Sequence, residues 1–155
     1  MNTYNCQITP VDSSDLDEVL ALLVANELPT DGVVEHLRFF LIARDLDNRL
    51  IGCVAVERHG EFGLLRSVAV AKDYRQIGLG SRLVSAALRD ARNSGIREVV
   101  LLTTTARDFF ARKFEFAETT RTRYEEQFTA SDEWRLPRCS SAAVIRLDLS
   151  QDGSS

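Results

Sequence analysis

The run Arg75-Gln76-Ile77-Gly78-Leu79-Gly80 constrains this chain more than any other stretch. Upstream of it, Leu64-Leu65-Arg66-Ser67-Val68-Ala69-Val70 reads as a strand, rich in β-branched residues and continuous enough to be buried. Downstream, Leu83, Val84, Ala87, Leu88 and Ala91 recur at helical spacing. A strand feeding a glycine-rich turn and then a helix N-terminus makes an anion site. The glycines let the backbone approach closely, the first-turn amides point outward, and the helix dipole adds partial positive charge.

The run lacks the Gly-Lys-Ser/Thr ending of a P-loop and the three-glycine dinucleotide fingerprint, and no βαβ unit opens the chain. It has the form Arg/Gln-x-x-Gly-x-Gly/Ala, here Arg75-x-x-Gly78-x-Gly80, after a β-strand. This resembles the acetyl-CoA pyrophosphate loop of the GCN5-related N-acetyltransferases (GNAT). The flanks Ser67-Val68-Ala69-Val70-Ala71-Lys72-Asp73-Tyr74 and Ser81-Arg82-Leu83-Val84 strengthen the likeness. The resemblance implies an α/β (α+β) acyl-CoA N-acyltransferase fold, a mixed central β-sheet flanked by helices. It also implies acetyl-CoA as co-substrate.

At 155 residues the chain is expected to form a single domain over 1–150, with 151–155 as a disordered tail. The formal charge of −4 argues against nucleic acid as a partner, because phosphate-backbone binding needs a basic surface. A basic cluster at Arg107, Arg112, Lys113, Arg121 and Arg123 is interspersed with Glu115, Glu118, Glu125 and Glu126, which reads as a solvated mixed surface. Cys6, Cys53 and Cys139 are isolated, and His36 and His59 are the only histidines, so no metal site is expected. Cys53, in an apolar run, reads as a small buried hydrophobe. No signal peptide and no apolar run of membrane length is apparent, so no membrane is expected and a reducing cytoplasm fits.

Pattern along the chain predicts a strand at Cys6–Thr9, ended by Pro10. A helix capped by Asp12-Ser13-Ser14-Asp15 follows, carrying Leu16, Val19, Leu20 and Leu23. Strands are expected at 38–43, 50–57 and up to Val70. The central helix should end at Asn93-Ser94-Gly95 and be followed by a buried strand over Glu98–Thr103. A helix from Thr105 to about Lys113, an extended piece from Phe114, and a last strand over Ala142–Leu147 complete the order β-α-β-β-β-α-β-α-β.

The family resemblance places the pantetheine arm between the strand ending at Val70 and the strand ending near Thr103. Backbone groups of Val68 and Val70, with Ala69 between them, would pair with the pantetheine amides. Amides of Gln76, Ile77, Gly78, Leu79, Gly80 and Ser81 would hold the pyrophosphate, and Arg75 would add charge. Gly78 and Gly80 are the positions expected to tolerate a side chain least. Acetyl transfer by direct attack requires positioning of the amine, removal of a proton, polarisation of the carbonyl and protonation of the leaving thiolate.

Two departures from the family pattern stand out. The stretch Phe109-Phe110-Ala111-Arg112-Lys113-Phe114-Glu115-Phe116 lacks the tyrosine that protonates the thiolate in many members, leaving water or the thiolate's own basicity. The strand before the loop has Leu64-Leu65-Arg66 where some members carry a glutamate. Glu57, at the end of the neighbouring strand, is the candidate base; a strand-end surface carboxylate is the competing reading.

Gly52-Cys53-Val54-Ala55-Val56-Glu57-Arg58, Leu64 to Val70, Leu101-Leu102-Thr103-Thr104-Thr105-Ala106 and Cys139-Ser140-Ser141-Ala142 are similar to the arsenic-resistance-associated branch of these acetyltransferases. The Leu-Leu-Thr-Thr-Thr segment also resembles the acetyltransferase module of N-acetylglutamate synthases. Both point to a small-molecule amine, an amino acid or an analogue of one, in a setting of arsenic or antimetabolite resistance. Arg66, Thr104 and Arg107 are the candidate substrate contacts, the arginines for an α-carboxylate. A homodimer is compatible with the sequence. Competing readings are a non-catalytic acyl-CoA-binding sensor on the same fold and a protein or N-terminal acetyltransferase. The latter needs a groove open at both ends, whereas the long segment from Thr119 to Pro137 reads as able to close one side.

Overall fold

The computed structural model describes residues 6–137 and 142–150. The tail expected over 151–155, and Cys139, Ser140 and Ser141, lie outside the described residues. Seven strands follow the order β1-β2-β3-β4-β5-β7-β6 in one mixed sheet. They are β1 (Gln7–Pro10), β2 (Phe40–Arg44), β3 (Leu50–His59), β4 (Phe62–Val70), β5 (Glu98–Thr103), β6 (Ala117–Thr119) and β7 (Ala143–Asp148). The helices are α1 (Leu16–Ala25), α2 (Leu79–Asn93), α3 (Arg107–Phe114) and the single turn α4 (Glu125–Phe128). The pairing of β4 with β5 is parallel, and the pairings β1–β2, β2–β3, β5–β7 and β6–β7 are antiparallel.

The chain forms two compact units, one of residues up to 56 with 67–90, the other of 57–66 with 91 onward. In the first, the Asp12 carboxylate accepts from Ser14 N–H and Asp15 reaches back to Asp12 N–H, a reciprocal cap on the 3₁₀ turn Ser13–Asp15 that leads into α1, built from the cap residues the sequence offers there. Val19, Leu22 and Leu23 form the buried stripe of α1 and pack with Val33, Phe40, Ile42, Leu50, Cys53, Ala55 and Ala69. Cys53 and Ala55 share a strand face, as a period of two requires. Burial pushes the Cys53 thiol up to about 12, in keeping with a packing role. Gly52 is a close-approach position, since a Cβ there would lie 2.8 Å from Leu83 Cδ1 of α2.

In the second unit the parallel register sets Phe62–Leu65 beside Glu98–Leu101. Leu64, Val100, Tyr124, Phe128, Trp134 and Val144 form its core. The stretch from Thr119 to Pro137, read from the sequence as a long closing segment, therefore folds inward. A 3₁₀ turn at Arg121–Tyr124 and helix α4 drive Tyr124 and Phe128 into the core, and Trp134 follows from the next turn. Aromatic spacing over so short a run gave no helical period, which hid this from pattern reading.

Other boundaries shift for identifiable reasons. Glu115 adopts a left-handed conformation (φ 63°) that caps α3, so the extended piece expected from Phe114 begins at Ala117. Of the two adjacent aromatics in α3, Phe110 is 5% exposed and Phe109 is 41% exposed; only Phe110 belongs to the interior. Strand β3 runs two residues beyond Glu57 to His59, which puts both side chains on one face.

Candidate active site

The loop between β4 and α2 is built by backbone conformation. Ser67, inside β4, has φ 61°, an uncommon value for a non-glycine residue in a strand, and its carbonyl accepts from Cys53 Sγ at 3.2 Å. After Val70 the chain is anchored by Ala71 N–H to Ile51 O at 2.7 Å and by the Tyr74 hydroxyl to Asp45 Oδ2 at 2.9 Å. Hydrogen bonds from Arg49 N–H foremost, and then from Tyr74, hold the Asp45 carboxyl below its ordinary range. Gln76 (φ 67°) and Gly78 (φ 88°) then turn the backbone left-handed on either side of Ile77. Such turns form concavities of amide N–H groups that suit anions.

Helix α2 starts at once, its first backbone bond running from Arg82 N–H to Gly78 O. The amides of Leu79, Gly80 and Ser81 thus belong to the first turn, where no intrahelical carbonyl is available. A Cβ at Gly78 would meet nothing within 4 Å, so the space beside this residue, just before the first turn of α2, is open. That combination fits a phosphate. Gly80 differs from Gly78: its φ is ordinary, and a Cβ there would touch Val70 Cγ2 at 3.8 Å. Arg75 Nε donates to Val70 O at 3.1 Å and Nη2 to Asn26 Oδ1 at 3.0 Å, so two of the candidate cofactor-binding residues bond to each other.

The candidate base and one candidate substrate residue meet in the second unit. Glu57 has a side-chain exposure of 0%; its Oε2 accepts from Arg66 Nη1 at 3.1 Å, and its Oε1 lies 2.6 Å from His59 Nε2. Arg66, also at 0%, reaches Glu133 Oε1 with Nε at 3.5 Å. Glu57 is therefore no strand-end surface carboxylate. Two carboxylates, a guanidinium and an imidazole form one buried chain, drawn from residues 57, 59, 66 and 133. Sequence reading found Glu57 and Arg66 separately and missed His59 and Glu133; the i, i+2 spacing of Glu57 and His59 in a strand was the one available signal.

Thr104 and Arg107 come together elsewhere in that unit. With Thr103, Thr105, Asp108 and Ala143 they line a cavity of about 330 Å³. Thr103 Oγ1 accepts from Ala106 N–H at 2.9 Å and Thr105 N–H at 3.3 Å and so starts α3. Arg107 is paired with Glu118 at 2.6 Å. Arg66 does not line this cavity. Of the two described tyrosines, Tyr74 is bound to Asp45 and Tyr124 donates to Glu98; burial foremost raises the Tyr124 hydroxyl above its ordinary range. Among the described residues no cluster of metal-ligating side chains occurs, and no helix is long and apolar enough to cross a membrane.

The left-handed loop after β4 and the N-terminus of α2 that follows it form, on a mixed sheet, an arrangement of amides suited to an anion. The model of the Acetyltransferase (GNAT) family matches residues 10–116, and the chain belongs to that family. An uncharacterized N-acetyltransferase of Chlorobaculum tepidum is 34% identical over 74 residues, which is 47% of this chain and 47% of that protein. The chain thus matches about half the length of this relative. Among solved structures, N-acetylglutamate synthase from Neisseria gonorrhoeae, complexed with coenzyme A and L-arginine, superposes with a TM-score of 0.74. It has 22% identity, over 92% of this chain and 33% of that one. Rv2747 from Mycobacterium tuberculosis, in complex with CoA and NLQ, gives a TM-score of 0.74 at 23% identity over 92% and 98% of the two chains. A GNAT-family acetyltransferase from Staphylococcus aureus gives 0.75 at 17% identity, over 93% and 99%. At these identities the structures establish the fold.

Proposed function

We propose that the protein is an acetyl-CoA-dependent N-acetyltransferase that acts on the amine of a small molecule, an amino acid or an analogue of one. The observation that carries this is the loop Gln76–Ser81, in which two left-handed residues lead directly into the first turn of α2 and the space beside Gly78 is open. Amides of Gln76 to Ser81 hold the pyrophosphate of the co-substrate, Val68, Ala69 and Val70 supply strand backbone for its pantetheine, and Arg75 fixes the loop. The co-substrate brings a thioester-activated acetyl group. The chain's own residues have to bind the amine, orient it and take its proton.

Thr104 and Arg107 are proposed to contact the acceptor's carboxylate, on the strength of the cavity they share. Arg66 acts on the site through Glu57, given that its guanidinium lies between two buried carboxylates. Glu57 is the carboxylate on which deprotonation depends. The single domain over 1–150, the cytoplasmic setting and a role in arsenic or antimetabolite resistance belong to the same reading. They are supported by the family match, by the isolated cysteines and by the branch-specific stretches.

Thiol release from acetyl-CoA, measured against amino acids, polyamines and aminophosphonate-type antimetabolites, tests the proposal. Turnover with at least one α-amino acceptor is expected. Acetyl-CoA binding by calorimetry without thioester consumption would make the protein a sensor instead, a reading favoured by the burial of Glu57. Absence of binding would overturn both.

A further inference from the structure

Ser67 is held in a conformation that a serine inside a strand does not ordinarily take. Its φ of 61° is left-handed, yet it stands within β4 and not at a turn. Alternation resumes beyond it, with Ala69 buried and its neighbours Val68 and Val70 half-buried. One side chain spans this kink. Cys53 Sγ lies 3.2 Å from Ser67 O, and Ala69 N–H hydrogen-bonds to the same sulfur. Cys53 has no exposed surface. Burial foremost raises its thiol, against the lowering by Ala69 N–H, so the proton stays on sulfur and is available to Ser67 O. The peptide between Ser67 and Val68 is trans, so its C=O and N–H point in opposite directions. Tying the Ser67 carbonyl to Cys53 therefore turns Val68 N–H away from Cys53.

We infer that Cys53 is a positioning residue, whose thiol pins the Ser67 carbonyl and so sets the direction of Val68 N–H for the pantetheine arm of the co-substrate. This rests on the acetyl-CoA-binding reading above, in which Val68 to Val70 supply that arm with strand backbone. Cys53 acts through the backbone and not by contact with the co-substrate. Its neighbours Val19, Leu23, Phe40 and Ala55 are apolar, and a small apolar side chain would suit them as well as a thiol does. Such a residue would take a hydrogen-bond donor away from the Ser67 carbonyl and leave the kink in β4 less firmly held.

Two measurements on the full chain test the inference. The first needs no ligand. The S–H stretching band that disappears in Cys53→Ser identifies Cys53 in the infrared spectrum of the wild-type protein, and it is expected below the frequency of a non-bonded thiol. A band at the non-bonded frequency would overturn the inference. The second measurement compares acetyl-CoA with its nucleotide half, 3′-phospho-ADP, which carries the phosphates and lacks pantetheine. In Cys53→Ala the Kd of acetyl-CoA should rise about fivefold while that of the nucleotide stays within about twofold of wild type. Cys53→Ser keeps a donor on the same carbon and should return acetyl-CoA affinity to within about twofold of wild type. Equal rises for both ligands, equal losses in the two variants, or no loss in Cys53→Ala would mean that the sulfur only packs, and would overturn the proposal. Wild-type protein that binds neither ligand would overturn the co-substrate reading and this inference with it. The infrared band tells that failure from a thiol that donates nothing.

Discussion

The loop at residues 75–81 and the buried chain of Glu57, His59, Arg66 and Glu133 serve the same proposed reaction by opposite physical means. The loop works with backbone. Its amides need only two left-handed turns and a helix start, so side-chain identity matters little outside Gly78. The buried chain works with side chains alone, two of them without any exposed surface, and each charge is tolerable only because the others are there. Damage to the loop should therefore cost binding and spare the fold, whereas damage to the buried chain should cost the fold as well as the chemistry.

The largest effect is expected from Gly78→Val. A β-branched residue at φ 88° is strained, and its methyls would occupy the open space beside Gly78 that the proposed pyrophosphate needs. Acetyl-CoA affinity should fall by about 10²-fold or more while the thermal unfolding transition stays sharp. A folded variant with unchanged affinity would remove the loop from the site.

Arg66→Ala tests the other side of the comparison. Withdrawing the guanidinium from two buried carboxylates should destabilise the protein by about 3–5 kcal/mol, read from urea unfolding. A loss under about 1 kcal/mol, with acceptor KM alone affected, would make Arg66 a substrate contact after all.

A smaller effect is expected of Asn26→Ala. Asn26 reaches the loop through Arg75 Nη2, so a positioning role for Arg75 predicts a rise in acetyl-CoA Kd of roughly fivefold, about 1 kcal/mol for one hydrogen bond. An unchanged Kd would return Arg75 to the role of a phosphate-facing charge.

Gly80→Ala should do least. Its Cβ finds an ordinary 3.8 Å contact with Val70 Cγ2 at an unstrained φ, so affinity is expected within about twofold of wild type and stability unchanged. A loss as large as that at Gly78 would show that phosphate approaches Gly80 as closely, as the glycine spacing alone suggested.

Periodicity and glycine placement made the loop, α1 with its cap, α2 and β5 legible in the sequence, because each depends on residues near one another in the chain. The Asp12 box, the αL residue at Gly95 (φ 92°) and the Glu98–Thr103 strand stand where local rules put them. The partners of Arg66 could not be read that way. Local pattern offers an arginine in an apolar strand only as a surface or substrate-facing cation, since the carboxylate that completes its burial is Glu133, 67 positions along the chain in the numbering. The same holds for Tyr124, Phe128 and Trp134, which look like scattered aromatics in a polar segment until β4, β5 and β7 provide something to pack against.

What the sequence determined by itself was what needs only backbone: the glycine-rich turn, its strand and its helix, and with them the family. Tertiary structure decided which charges are buried together. It lengthened β3 to His59, set that ring on Glu57, and closed the chain of charges with Arg66 and Glu133. The physical reason is range. Backbone conformation is chosen by neighbours a few residues away, whereas desolvation of a charge is tolerated only when its partner arrives from a distant part of the chain.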